Sequence, residues 1–333
     1  MIQRDYVPVR HQDALDRANA DFIRRNLSDY LRQGAKLPHR NDRVSELRDL
    51  SLEDLAKEIS PHHRSVNSSD FATAMGTALT SILLDNWPDK SARLDPFCRV
   101  FEVENFTPVA VNAVELPELT TPAEPEDGQV SIVYPSISIT HTATAQLQSY
   151  ETIFRVSRQL WQTHGAPLVN AVARQSLVFA NLELRLLSEL LNSNPVLSDS
   201  DTLFTSDNSA ASALDLNSMD VAMDWLASGT PPCLEASGLL IAPGKEMTAR
   251  TLLESAGMTL PIVVSPWLTA GSWILFSNPS EHASILRLRE KGASQLPKVG
   301  FVNVPGTDSK GYYAVHDCGF SAISRNGIYR GGV

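Results

Sequence analysis

The sequence predicts an α+β fold divided into more than one domain, and three observations carry that expectation. From Leu168 to Leu191 the chain has no Gly or Pro and places Leu, Val or Phe on nearly every turn, the pattern of one long helix. Between Arg99 and Arg155 there is no Lys or Arg, and strand-like alternation flanks an acidic, Pro-bearing centre, the pattern of a long β-hairpin. From Asp215 onward short helical and strand-like segments alternate, which describes a compact α/β unit.

Composition bounds the answer. A chain of 333 residues with 43% hydrophobic and 20% charged residues is long enough for two domains and is not a disordered tail. Its net charge of −10 is unevenly placed, because residues 1–64 hold 12 of the 28 Lys and Arg against 11 acids. The acidic remainder argues against sequence-independent wrapping of nucleic acid as the chain's own activity. Cys98, Cys233 and Cys318 are an odd number without CxxC spacing, which suits free thiols in a reducing compartment. No apolar run reaches the length of a membrane span, and the opening Met-Ile-Gln-Arg-Asp-Tyr lacks a signal-peptide core. The expectation is a protein made and used in cytoplasm.

Taken in order, residues 12–33 carry a helical stripe of Leu15, Ala18, Phe22, Ile23, Leu27, Tyr30 and Leu31 with Arg17, Arg24, Arg25 and Arg32 interspersed, an amphipathic arm helix. Ser51-Leu-Glu-Asp54 has capping-box form. Residues 1–64 cannot bury a core of their own and are expected to lie along a neighbour. A core helix follows at Phe71, Met75, Leu79, Ile82, Leu83 and Trp87, broken by Pro88. The hairpin arms are Phe106 to Ala113 and Val130 to Ile139, around the centre Pro117 to Gly128. Tyr150 to Gln159 reads as a strand. The long helix shows apolar residues on more than one face, Leu168, Val172, Val178, Phe179, Leu184 and Leu187 among them, so it should be packed on several sides. Asn192-Ser-Asn-Pro195 stops it, and Ser198 to Ser212 is polar and flexible in composition. Asp215 to Leu226 and Thr248 to Ala256 read as helices. Leu239 to Ala242, Pro261 to Val264, Trp273 to Phe276, Ser284 to Arg289, Val299 to Val304 and Tyr312 to Ile323 read as strands, with a turn at Asn326-Gly327 before Ile328 and Tyr329.

The order Ile153-Phe154-x-Val156-Ser157-Arg158-Gln159, a long helix, Leu190-Leu191-x-x-Asn194-Pro195 and Asp201-x-Leu203-Phe204 resembles the major head subunit of Mu-like tailed phages, a family with the Hong Kong 97 capsid fold. The resemblance runs from about Ser69 to Tyr329. It implies an N-terminal arm at 1–64, a peripheral-domain helix at 65–100, an extended hairpin loop at 101–155, and the peripheral domain's spine helix at 156–192. An axial α/β domain at 193–282 and return strands of the peripheral domain at 283–333 complete it. Leu47 to Glu58 also resembles the joint where some prohead proteases are fused ahead of capsid proteins of this family.

The function implied is that of a non-enzymatic major capsid protein of a tailed phage. It would assemble in host cytoplasm into hexamers and pentamers of an icosahedral virion head around double-stranded DNA that it does not read by sequence. Its partners would be itself, a portal, a scaffold or protease, and a cement protein, with no cofactor and no membrane. The hairpin becomes the loop that reaches over an adjacent subunit. Its acids Glu115, Glu118, Glu124, Glu126 and Asp127 are then candidates to meet the arm residues Arg24, Arg25, Arg40 and Arg43 of a neighbour. A solvated acidic loop is the competing reading. The family's best-known shell is chained covalently through a loop lysine, but here no Lys occurs between Lys90 and Lys245, so the loop cannot supply that amine. Rival functions are an encapsulin-like compartment and a cytoplasmic α/β hydrolase using His316 or Cys318.

Other motifs fall short of chemistry. Gly238 to Lys245 fails as a phosphate loop, because five residues separate Gly238 from Gly244 and Glu246 stands where Ser or Thr should bind magnesium. In a strand His316 and Cys318 share a side that Asp317 does not, which leaves no triad. Asp199, Asp201 and Asp207 lack the Gly-and-Glu pattern of a calcium loop, and His62-His63 lies in the arm. No catalytic or metal residue is assigned.

Overall fold

The computed structural model describes residue 27 and residues 69–84, 92–115, 138–156, 166–229, 233–292, 297–303 and 310–332. Its elements in order are helix α1 (Ser69–Leu84), strands β1 (Arg99–Val103), β2 (Val109–Glu115), β3 (Ser138–Ala145) and β4 (Gln148–Val156), and helix α2 (Ala166–Ser193). Strand β5 (Ser209–Ala210), helix α3 (Leu216–Ser228), strand β6 (Ala236–Ile241) and helix α4 (Glu246–Ser255) follow. Then come β7 (Ile262–Val264), β8 (Trp273–Ser277), β9 (Ile285–Glu290), β10 (Lys298–Asn303), β11 (Lys310–Ala322) and β12 (Ile328–Gly331). The chain divides into two compact units, one of residues 1–90, 149–180 and 296–316, the other of 91–148, 181–295 and 317–333.

In the first unit α1 lies against β10, which pairs antiparallel with the start of β11. Met75, Ala78, Leu79, Ile82 and Leu83 of α1 are buried, the stripe expected from their helical spacing. The approach to β10 is close. A Cβ at Gly76 would stand 3.1 Å from the Val299 carbonyl oxygen, and the Val299 N–H donates to Thr80 Oγ1 at 3.0 Å. The expectation of packing on several sides fails for the part of α2 in this unit: Val172 and Phe179 are buried, but Leu177 and Val178 are 44% and 52% exposed. Leu27, of the arm, is helical and fully buried; the rest of the arm and the centre of the hairpin lie outside the described residues.

The second unit is organised on a five-stranded sheet in the order β5-β12-β8-β6-β7. Its central strand β8, Trp-Ile-Leu-Phe-Ser, is buried throughout. Alternation divides that burial between two cores. Ile274 and Phe276 of β8, Leu240 of β6 and Ile328 of β12 face Leu184, Leu187 and Leu191 of α2. Trp273, Leu275, Leu239, Ile241 and Tyr329 face Met219, Ala222 and Leu226 of α3 and Ala249, Leu252 and Leu253 of α4. A strand covered on both faces reads as a continuous apolar run, which is why period-2 alternation is missing from this sequence. Helix α3 opens with a reciprocal capping box, Ser218 N–H to Asp215 Oδ1 at 2.8 Å and Asp215 N–H to Ser218 Oγ at 3.0 Å.

Two placements differ from the sequence reading. The last strand, grouped there with the segments after 283, pairs antiparallel with β8 and parallel with β5 instead, because its two apolar residues serve two different cores. Residues 99–103, assigned partly to the hairpin, form β1 and pair parallel with β9.

The turn that admits β12 is set by Gly327, at φ +78°, where a Cβ would overlap Ser277 Oγ. Gly327→Ala is therefore expected to destabilise the fold by about 1 kcal/mol or more, read as a lower urea midpoint with an unchanged slope.

Candidate functional site

The hairpin predicted from the acidic stretch exists at its root. Strands β2 and β3 pair antiparallel from Val109↔Ala145 to Glu115↔Ser138, with a register shift between Ala113 and Val114. One face of the root is buried: Val111, Ala145 and Leu147 pack with Val103, Leu286, Leu288 and Ile323. On the exposed side Thr142 Oγ1 donates to Asn112 Oδ1 at 3.0 Å, and the Thr142 N–H donates to Ser198 Oγ at 2.8 Å. Root and loop 194–210 are thus tied together.

That loop is polar in composition but not loose. Asn194, at φ +47°, donates from Nδ2 to the Phe204 carbonyl at 3.0 Å and accepts the Phe204 N–H on Oδ1 at 2.7 Å. Asn208, fully buried, donates to the Leu203 and Arg325 carbonyls at 3.0 and 3.3 Å and accepts the Thr205 N–H at 2.7 Å. Each side chain replaces backbone pairing that a sheet would have supplied. Asn192 holds the other side, donating to the Trp267 carbonyl at 2.7 Å and accepting from Thr269 Oγ1 at 2.9 Å. The residues spaced as Asn194-Pro195 and Leu203-Phe204 are therefore a closure device at the end of α2. Asp199 and Asp201 face Arg325, at 2.6 and 3.6 Å.

Beneath the root lies a buried ion cluster that sequence reasoning missed. Glu183 of α2 has no exposed surface, and its Oε1 lies 2.9 Å from Arg289 Nη2 while its Oε2 pairs with Arg287 Nη2. Arg287 also reaches the exposed Asp95 at 3.3 Å. In β9 the even residues Leu286 and Leu288 serve the root's core and the odd Arg287 and Arg289 point to α2. The signal was present as Leu-Arg-Leu-Arg, since arginine alternating with leucine in a strand needs an acid on the polar side. Burial lowers the Arg289 pKa against the opposing pull of Glu183.

The candidate charged contacts are mostly beyond view. Glu115 ends β2 opposite Ser138, whereas Glu118, Glu124, Glu126, Asp127, Arg24, Arg25, Arg40 and Arg43 lie outside the described residues. Glu104, just after β1 in the same base-free stretch, pairs with Lys291 at 3.3 Å on the surface. The motifs declined above gain nothing from the fold. Gly238 sits in β6, where a Cβ would stand 2.8 Å from the Phe97 ring, and Lys245 precedes α4 without a side-chain cap. His316 is buried against the Phe179 ring at 5.4 Å between centroids. Burial, with Glu183 near, pushes the Cys318 thiol well above its ordinary pKa, which disfavours the thiolate that a nucleophilic role would need. Elsewhere an open groove of about 710 Å³ between α3 and α4 is lined by Leu214, Leu216, Met247 and Leu252, with Met247 74% exposed.

The model of the phage capsid protein family matches residues 142–331. The chain belongs to the phage capsid protein family. Among solved structures, the virus-like particle from Pyrococcus furiosus shares 16% identity over 77% of this chain and 98% of that one, with a TM-score of 0.50. The holo-SrpI encapsulin complex from Synechococcus elongatus PCC 7942 gives 14% identity, 70% and 84% coverage and a TM-score of 0.45. The Mycobacterium phage Patience structure gives 13%, 79%, 88% and 0.46. No curated protein sequence matches. This capsid protein has the Hong Kong 97-like fold expected from the segment order, and its role is that of a major capsid protein. Among the described residues, no helix is long and apolar enough to cross a membrane.

Two outcomes test this geometry. Glu183→Gln removes the buried counter-charge that Arg287 and Arg289 share and should cost about 3–5 kcal/mol in a denaturant titration, whereas Glu183→Leu with Arg287→Met and Arg289→Met should recover most of that. Of the three thiols, Cys233 is exposed while Cys98 and Cys318 are buried; a colorimetric disulfide reagent should titrate Cys233 alone in the native protein and all three after unfolding.

Proposed function

We propose that this capsid protein tiles a closed phage head as hexamers and pentamers, and that its hairpin completes the tile by lying on an adjacent copy. The observation that carries the reading is the hairpin itself. Its root is bonded to its own unit through β2, β3 and Ser198, while the sequence beyond Glu115 runs into Pro117 to Gly128, with four acids and no base. A two-stranded ribbon is marginal alone in water and gains its stability from another surface. The exposed Leu177 and Val178 of α2 and Met247 beside the groove are apolar area of the kind that subunits bury on one another. The head would enclose double-stranded DNA, and the net charge of −10 favours a lining that does not adhere to it. Portal and scaffold or protease are the partners this role calls for, and a cement protein is one way to reinforce the shell, with assembly in host cytoplasm.

Negative-stain microscopy of the expressed chain should show closed shells, tubes or rings of six, and shells from infected cells should contain DNA; protein cargo instead would point to an encapsulin-like compartment. Reversing Glu124, Glu126 and Asp127 to Lys should abolish shells while leaving the subunit's circular dichroism and melting unchanged. Normal shells from that variant would remove the charged hairpin contact from the mechanism.

A further inference from the structure

We propose that the Arg330 guanidinium is the receptor for a carboxylate of a second copy, supplied by its acidic segment Pro117 to Gly128; the assignment rests on the hairpin overlap proposed above. Arg330 is only 8% exposed. Strand β12 holds its backbone between Ile274 and Ser209, and its N–H donates to the Asn208 carbonyl at 3.0 Å. Its guanidinium carbon lies 5.3 Å from the centroid of the Phe204 ring, a ring fixed by the Asn194 clamp. The second unit's other buried arginines, Arg287 and Arg289, share Glu183, and the half-buried Arg325 has Asp199. Arg330 has no carboxylate partner among the described residues, and its Nε is shut off from solvent without an acceptor. Burial is what lowers its pKa, with no acid raising it.

An arginine cannot shed its charge. Holding one nine-tenths buried against an aromatic face and without a counter-ion is costly in the isolated subunit. The arrangement makes sense if the missing acid arrives on assembly: the Phe204 ring lies beside the guanidinium carbon, and a carboxylate can meet a guanidinium with two parallel hydrogen bonds. Charge complementarity selects the source. Pro117 to Gly128 carries Glu118, Glu124, Glu126 and Asp127 and no Lys or Arg. A phosphate of packaged DNA offers similar oxygens, but a chain of net charge −10 repels it.

The test pairs the stability of the dissociated subunit with shell yield. Arg330→Met should leave the subunit's melting temperature unchanged or raised while shell yield falls about tenfold. Arg330→Glu should abolish shells, and one of Glu118→Arg, Glu124→Arg, Glu126→Arg or Asp127→Arg combined with it should restore them. The inference is overturned if Arg330→Met melts lower yet assembles normally from its folded fraction, if it assembles like the natural chain, or if no exchange rescues. Normal shells that lose DNA at high salt would assign Arg330 to phosphate instead and overturn it equally. If reversal of Glu124, Glu126 and Asp127 blocks assembly while Arg330→Met does not, the hairpin overlap stands and only its receptor is wrong; if neither blocks assembly, both fall.

Discussion

Glu183 is carried into the second unit with no exposed surface, and two arginines of β9 come with it. A lone carboxylate in that position would not stay charged, and a lone arginine there would carry a heavy desolvation cost. The cluster therefore links α2 to β9 in one register only: a shift of one residue along β9 would present Leu286 or Leu288 to the acid and turn both guanidinium groups into the hydrophobic core under the hairpin root. Leucine pairs would hold the elements together at least as strongly, but they would tolerate sliding. The root of the hairpin is built on the other face of the same strand, so the direction in which the hairpin leaves the unit depends on this pairing.

The end of α2 repeats the principle with neutral groups. Asn192, Asn194 and Asn208 satisfy backbone groups that no strand pairs, and they turn a stretch of polar composition into a fixed bracket. Ser198 joins the bracket to β3, and Phe204, held by Asn194, forms the floor beneath Arg330. Such a bracket matters to the hairpin overlap proposed above, because a projecting element is only as well aimed as its base.

Most elements were legible in the sequence because their signals are local. The long helix runs from Ala166 to Ser193 where Leu168 to Leu191 was expected, and α3 begins at the Asp215 cap and ends at Gly229. The hairpin was legible from alternation and from the run without bases, although β1 was hidden in it because its parallel partner lies almost two hundred residues away. The fate of Ile328 and Tyr329 was equally out of reach: two adjacent apolar residues fit any buried edge, and only the space beside β8 settles which.

What the sequence determined alone was period, caps, breaks and charge: where helices and strands run, that the hairpin is acidic, and that its loop has no lysine. These are properties of neighbours in the chain, fixed by backbone geometry and side-chain chemistry within a few residues. Only the tertiary structure decided that Glu183 sits between Arg287 and Arg289, that Asn194 grips Phe204, and that Arg330 is buried without an acid among the described residues. Each of these depends on groups distant in sequence excluding the same water, and desolvation is a property of the assembled interior that no local pattern encodes.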